Sequence, residues 1–213
     1  MELTLIQKIA IYALPVVFAI TVHEAAHGYV ARSFGDMTAH QQGRISLNPL
    51  RHIDPVGTVL IPLLTLALGG ILFGWAKPVP VNFSRLRQPK KDMLWVAAAG
   101  PGANLVMAVL WALVIKLAAA LPESMAVPLS LMGQAGISIN VVLMVLNLLP
   151  LPPLDGGRIA VSLLPNHLAY RFAAVEPYGF ALLLLLMFTG ILGTILWPII
   201  RVLTGLLSLL FNL

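Results

Sequence analysis

The sequence contains no cysteine. That excludes a disulfide framework and any thiolate metal site, so a bound metal would have to use His, Asp or Glu. Charge is also scarce. Only 10% of residues are charged, against roughly 25% in soluble domains. Apolar residues make up 59% of the chain, which puts it among integral membrane proteins before any motif is read. No internal repeat, low-complexity tail or acidic or Ser-rich stretch marks off a second unit. One membrane-embedded domain over residues 1–213 is expected. The net charge of +5 is small and scattered, which argues against a nucleic-acid partner and is better used as a topology signal. The N-terminus lacks the basic start of a cleavable signal peptide.

What is abundant is long apolar runs. About 20 apolar residues cross a bilayer as a helix. Such runs cover residues 3–32, 56–75, 93–121, 129–149 and 180–197. The piece after Pro198, ending at Leu213, is short for a span and could cross or lie along the interface. An all-α polytopic membrane protein of about 4–6 transmembrane helices is expected. The connections differ in character. Residues 36–55 are polar, and 165–178 form a polar link. Residues 76–91, AKPVPVNFSRLRQPKK, read as extended chain, because each Pro bars helix and biases its predecessor towards β or polyproline conformations.

Near the end of the first run stands ITVHEAAHGYV, residues 20–30. His23, Glu24 and His27 form H-E-x-x-H. On a helix, positions i and i+4 share a face, so the two imidazoles can grip one Zn²⁺ and the Glu is placed as general base of a metalloprotease. The alternative is a structural histidine pair in a bundle core. A charged group at mid-membrane costs about 2.5–3.5 kcal/mol even on the lenient insertion scale, so Glu24 beside two histidines requires a reason.

A catalytic zinc takes three protein ligands and keeps one open position. Besides Glu24, the acidic candidates for the third are Glu2, Asp36, Asp54, Asp92, Glu123, Asp155 and Glu176, and the remaining histidines are His40, His52 and His167. Asp155 stands out. It lies in NLLPLPPLDGGRI, directly after a span, where Pro150, Pro152 and Pro153 stop the helix and Gly156 and Gly157 let the chain turn. Irregular backbone at membrane depth is tolerated only where it lines a buried or wet cavity. Asp155 could equally cap the helix that follows. Both roles are compatible, and the H-E-x-x-H motif favours the ligand.

HEAAH on an early helix, AAGPGANL on a later one and NLLPLPPLDGGR after another together resemble the site-2 protease family of intramembrane zinc metalloproteases. The resemblance runs from about Ile20 to Arg158. GRISLNPLRHIDPVG and FGWAKPVPVN are similar to its short prokaryotic form, without PDZ or CBS domains. The resemblance implies one zinc held by His23, His27 and Asp155, with Glu24 as catalytic base. It also implies that Asn147 holds the substrate or the oxyanion, and an interhelical hydrogen bond is the plainer role for Asn147.

The two motifs must meet. Arg32 marks an interface about 7.5 Å of helix beyond His27. If 56–75 crossed the membrane, His27 and Asp155 would face opposite sides. A re-entrant or membrane-embedded hairpin, broken near Pro62 or Gly69-Gly70, with an extended segment before the GPGAN helix, keeps them together. Then Arg32, Arg44, Arg51, Lys77, Arg85, Arg87, Lys90, Lys91, Arg158 and Arg171, ten of the thirteen Lys and Arg, share one side. The positive-inside rule makes that side cytosolic, in a cell inner or cytoplasmic membrane. The extended AKPVPVN, or RISLN, would either offer a strand edge to an unwound substrate or serve as a surface connector held by its prolines. Secondary candidates are His52 and Asp54, as a second metal or gating pair or as interfacial hydrogen-bonding groups. Asn104 reads as a close helix contact beside Gly100 and Gly102. Trp75, Trp95 and Trp197 read as interface anchors.

The expected function is zinc-dependent endoproteolysis of membrane-anchored substrates within their transmembrane helices, as in regulated intramembrane proteolysis or removal of signal-peptide remnants. The partners are then a substrate helix and the lipid bilayer. A metal transporter would string polar groups along several spans, whereas here they cluster at one depth. A catalytically inactive helix-binding scaffold would not need the full set of catalytic residues.

Overall fold

The computed structural model describes residues 4–60 and 76–213. Helix α1, Leu5–Ser33, opens on a capping box. Gln7 N–H donates to Thr4 Oγ1 at 3.3 Å, and Thr4 N–H donates to Gln7 Oε1 at 2.9 Å. A short α2, Thr38–Gln41, follows, and then turns at Pro49–Arg51 and Pro55–Leu60. The chain re-enters at 76–82 without regular structure and passes a turn at Phe83–Arg85. The long α3, Pro89–Ala118, has Pro in its first turn and Asp92 accepting from Gln88 N–H at 2.7 Å. Helix α4, Glu123–Asn147, runs back. Then come α5 (Asp155–Leu163), α6 (Asn166–Ala173), α7 (Glu176–Phe188) and α8 (Ile191–Phe211).

Four of these, α1, α3, α4 and α8, are long and apolar enough to cross a membrane, and α6 with α7 forms a fifth candidate bent by 62°. The described residues contain no strand, and the protein is an all-α, multi-pass membrane protein. Between lipid-facing helices burial of apolar surface gives little drive, so close packing of small residues must hold the bundle. The interior fits this: Ala19, Ala31, Ala108 and Ala112 are wholly enclosed, while Leu, Ile and Phe side chains dominate the outside. Trp111 and Ile115 of α3 seat on Gly136 and Gly133 of α4, where a Cβ would collide with them.

The ends of α1 and α3 are tied together. Arg87 N–H donates to Phe34 O at 3.0 Å, and Asn82 N–H donates to Asp36 Oδ2 at 2.6 Å. The chain between them therefore leaves and returns to one end of the bundle, as the parity of the two motifs requires. The expected break near Pro62 or Gly69-Gly70, and Trp75, lie outside the described residues.

Three expectations are corrected. The last break falls at Gly190, whose φ of +76° suits glycine, and not at Pro198, which lies inside α8. Residues 198–213 are thus mostly the second half of a helix long enough to span, and Trp197 sits within that helix, not at its end. The link 165–178 contains helix α6. The extended 76–82 segment forms no strand. Pro78 and Pro80 remove alternate donors, and the Lys77 and Val79 amides are bonded inside the protein, to His52 O (2.9 Å) and to Glu24 (2.7 Å). The Lys77 and Pro78 carbonyls accept from the Arg44 guanidinium at 3.0 and 3.2 Å.

Candidate metal centre

One helical turn separates His23 from His27, and their rings stand edge to face, centroids 4.8 Å apart. Their Nε2 atoms are 3.2 Å apart. Asp155, the first residue of α5, brings Oδ2 to 3.3 Å from the first Nε2 and 3.4 Å from the second. All three side chains are buried. Among the described residues this is the only group of three or more His, Asp or Glu with ligand atoms gathered this closely.

The ring protons decide what the cluster can do. Val96 O can only accept, so His27 donates to it from Nδ1, at 2.7 Å. Asn104 sends its Nδ2 to the Ala19 carbonyl (3.2 Å), which turns its Oδ1 to His23 Nδ1, at 2.6 Å. Both imidazoles, when neutral, therefore carry their lone pairs on Nε2, facing Asp155. The Oδ2 of Asp155 is buried and finds no hydrogen-bond donor among the described residues. Three acceptors converging without a donor are repulsive unless a cation joins them. Ligands about 2.0–2.1 Å from a tetrahedral zinc stand roughly 3.4 Å apart, close to the spacing found here. The residues fit zinc, with the outer hydrogen bonds that orient metal-bound histidines already in place.

Gly100 of α3 makes the approach feasible, since a Cβ there would run into His27 Nε2 and into His23 Cε1 and Nε2. Gly102, expected to share this role, faces open space. Gly156 and Gly157 do not turn the chain through positive φ. They are helical, and a Cβ on either would strike the backbone of Leu148 to Pro152. Asp155 makes no side-chain cap. It starts α5 with its carboxylate turned to the imidazoles.

Glu24 is half-buried and accepts the Val79 N–H on Oε2 at 2.7 Å. The Pro-Val-Pro sequence leaves Val79 as the sole amide donor of its tripeptide. Asn104 joins the centre. Asn147 ends α4 and donates from Nδ2 to Leu143 O at 3.0 Å, so its contact in this structure is to its own helix. His52 is buried and bonds through Nε2 to Ser46 O at 2.8 Å. Asp54 accepts from Val56 and Gly57 N–H at 3.0 and 2.7 Å, capping the turn it precedes. The two are not part of any metal-binding group among the described residues. Sequence reasoning missed Val79 and Asn140. The alternation of Pro around Val79 was a usable signal, while nothing in the sequence distinguishes Asn140 from an ordinary buried amide.

A buried His-His-Asp group that could hold a metal, set among membrane helices, is what a membrane-embedded zinc metalloprotease requires. The comparisons with known proteins agree. The model of "Peptidase family M50" matches residues 114–187, which include Asn147 and Asp155. "Putative zinc metalloprotease YwhC" of Bacillus subtilis is 40% identical over 189 residues, 87% of this chain and 83% of its own. "Putative zinc metalloprotease Rip2" of Mycolicibacterium smegmatis is 34% identical over 181 residues, 82% of this chain and 65% of its own. The Mycobacterium tuberculosis H37Rv protein of the same name is 30% identical over 165 residues, 75% of this chain and 54% of its own. No solved structure matches. The chain belongs to peptidase family M50, the site-2 protease family, and is a zinc metalloprotease.

Proposed function

We propose that this chain, acting as one membrane-embedded protease domain, cleaves peptide bonds within or beside the transmembrane helices of membrane-anchored substrates. The observation that carries the reading is the convergence of three potential ligand atoms, His23 Nε2, His27 Nε2 and Asp155 Oδ2, among membrane helices. These three would hold zinc. Bound there, zinc supplies a Lewis acid that polarises a carbonyl and acidifies water.

Glu24 is the base. Its carboxylate takes the proton from the attacking water and returns it to the leaving nitrogen. Val79 N–H holds Oε2, which fixes the carboxylate and leaves Oε1 for that work. Asn147 has two amide protons. One goes to Leu143 O, so the second can donate to a developing oxyanion. A helical substrate hides its carbonyls in its own hydrogen bonds and must unwind locally before attack.

The site opens to the cytosol in this reading. The basic residues support it, since Arg32, Arg44, Lys77, Arg87 and Lys90 lie on the segments joined at the α1 and α3 ends. The native lack of cysteine makes the test clean. Single cysteines replacing Gln42 and Ser124 should react with an impermeant thiol reagent from opposite faces, Gln42 from the cytosolic one. Labelling of both from one face would overturn the orientation. Cleavage of a single-pass helix by purified protein in liposomes tests the activity, and its absence across a broad substrate panel with zinc bound would count against an intramembrane substrate.

A further inference from the structure

We propose that Asn140, in the C-terminal third of α4, is a positioning residue for the zinc ligand His23, acting through Asn104. The inference rests on the reading of His23 as a ligand. Both amides are wholly buried, with 0% exposure. Asn140 Nδ2 donates to the Gly136 carbonyl at 2.8 Å, and its Oδ1 accepts from Asn104 Nδ2 at 2.9 Å. The same Nδ2 donates to Ala19 O at 3.2 Å, and Asn104 Oδ1 accepts from His23 Nδ1 at 2.6 Å.

This chain has a direction. Gly136 O and Ala19 O are backbone carbonyls and can only accept. The first turns the Asn140 amide so that its oxygen faces α3. That oxygen, with Ala19 O, takes both protons of the Asn104 amide. The Asn104 oxygen is then the only group left for His23, which must donate from Nδ1 and present its lone pair from Nε2. One row of amides thus joins α4, α3 and α1 and fixes which nitrogen of His23 can bind a cation. His27 reaches the same state through a single backbone carbonyl, Val96 O. Without Asn140, one Asn104 proton is buried without an acceptor, and the amide gains a reason to rotate and offer its nitrogen to His23.

The test is a zinc-affinity cycle by chelator competition on detergent-purified protein, using N140L, N104A and the double variant, with thermal stability of the zinc-free forms measured alongside. Outer hydrogen-bond partners of metal ligands typically affect affinity by about 10- to 100-fold, and N140L should weaken zinc within that range. N104A should do the same, and adding N140L to N104A should weaken it no further. Should N140L not fold, N140S, whose shorter side chain falls short of Asn104, takes its place with the same expectations. Zinc affinity within about twofold of wild type, or losses that multiply in the double variant, would overturn the proposal whatever happens to stability. H23A separates the two claims. If H23A keeps wild-type zinc affinity, the assignment of His23 as a ligand fails, and not the amide chain alone.

Discussion

His23 and His27 leave the same turn of α1 as Glu24, yet the two sides are held in different ways. The imidazoles are buried and locked by α3 through Val96 O, Asn104 and the close approach of Gly100. Asp155 reaches them from α5, a helix start pinned by glycines against the backbone before it. Glu24 is half-buried and accepts from Val79 N–H, in a segment with no helix or strand of its own. The imidazole side is held by packed helices, and the Glu24 side borrows its order from a loop. A metal centre needs fixed ligand geometry, whereas a base must meet water and substrate, and the two kinds of support match those two proposed roles.

The sharpest way to break this contrast is on the metal side. D155A should lose both stoichiometric zinc and measurable cleavage, seen by metal analysis and by peptide products. Next is G100A, whose methyl would meet both imidazoles. Overpacking costs about 1–3 kcal/mol, and zinc affinity should fall about 10- to 100-fold. G102A, two residues away in open space, should leave affinity unchanged.

On the base side the pattern reverses. V79P removes the N–H but should leave zinc in place. Hydrogen bonds to charged groups are worth about 1.5–3 kcal/mol, so kcat should fall roughly 10- to 100-fold. V79A keeps the N–H and should retain most of the rate. Steady-state kinetics beside metal analysis separates the two variants.

The smallest effect is expected at Asp36, which anchors the same loop through Thr38 N–H (2.9 Å), Thr38 Oγ1 (2.5 Å) and Asn82 N–H (2.6 Å). Burial pushes its carboxyl up, but these hydrogen bonds and the nearby Arg85 outweigh it and hold it below the ordinary 3.8. Its stabilisation is therefore full above that value and is lost as pH falls through the lower folded value. D36N should cost about 1 kcal/mol at neutral pH and flatten the acid limb of a thermal-stability profile.

Much of this was legible in the sequence. H-E-x-x-H states a helical face and a metal chemistry in five residues, and a long apolar run makes the helix certain enough to trust the spacing. Asp155 was legible by its place after three prolines, because they stop a span where lipid would forbid loose backbone. The return of the chain to one end followed from parity. The break at Gly190 did not follow, because Pro198 looked the stronger helix breaker, and apolar surroundings tolerate proline inside a helix. Gly156 and Gly157 looked like turn residues because sequence cannot tell a glycine needed for positive φ from one needed for closeness. The Pro-Val-Pro pattern marks Val79 as a lone donor, but that it meets Glu24, and that Asn140 meets Asn104, depends on which segments come back to the site, and no local pattern encodes that.

Zinc retention and proton transfer are thus proposed to reside in separate halves of one helical turn. Zinc content and cleavage of a single-pass substrate, measured together on wild type and E24Q, test it most directly. Stoichiometric zinc is expected in both proteins, with cleavage reduced by about 10²- to 10⁴-fold in E24Q, the usual worth of a general base. Loss of zinc from folded E24Q, or cleavage at the wild-type rate, would contradict it.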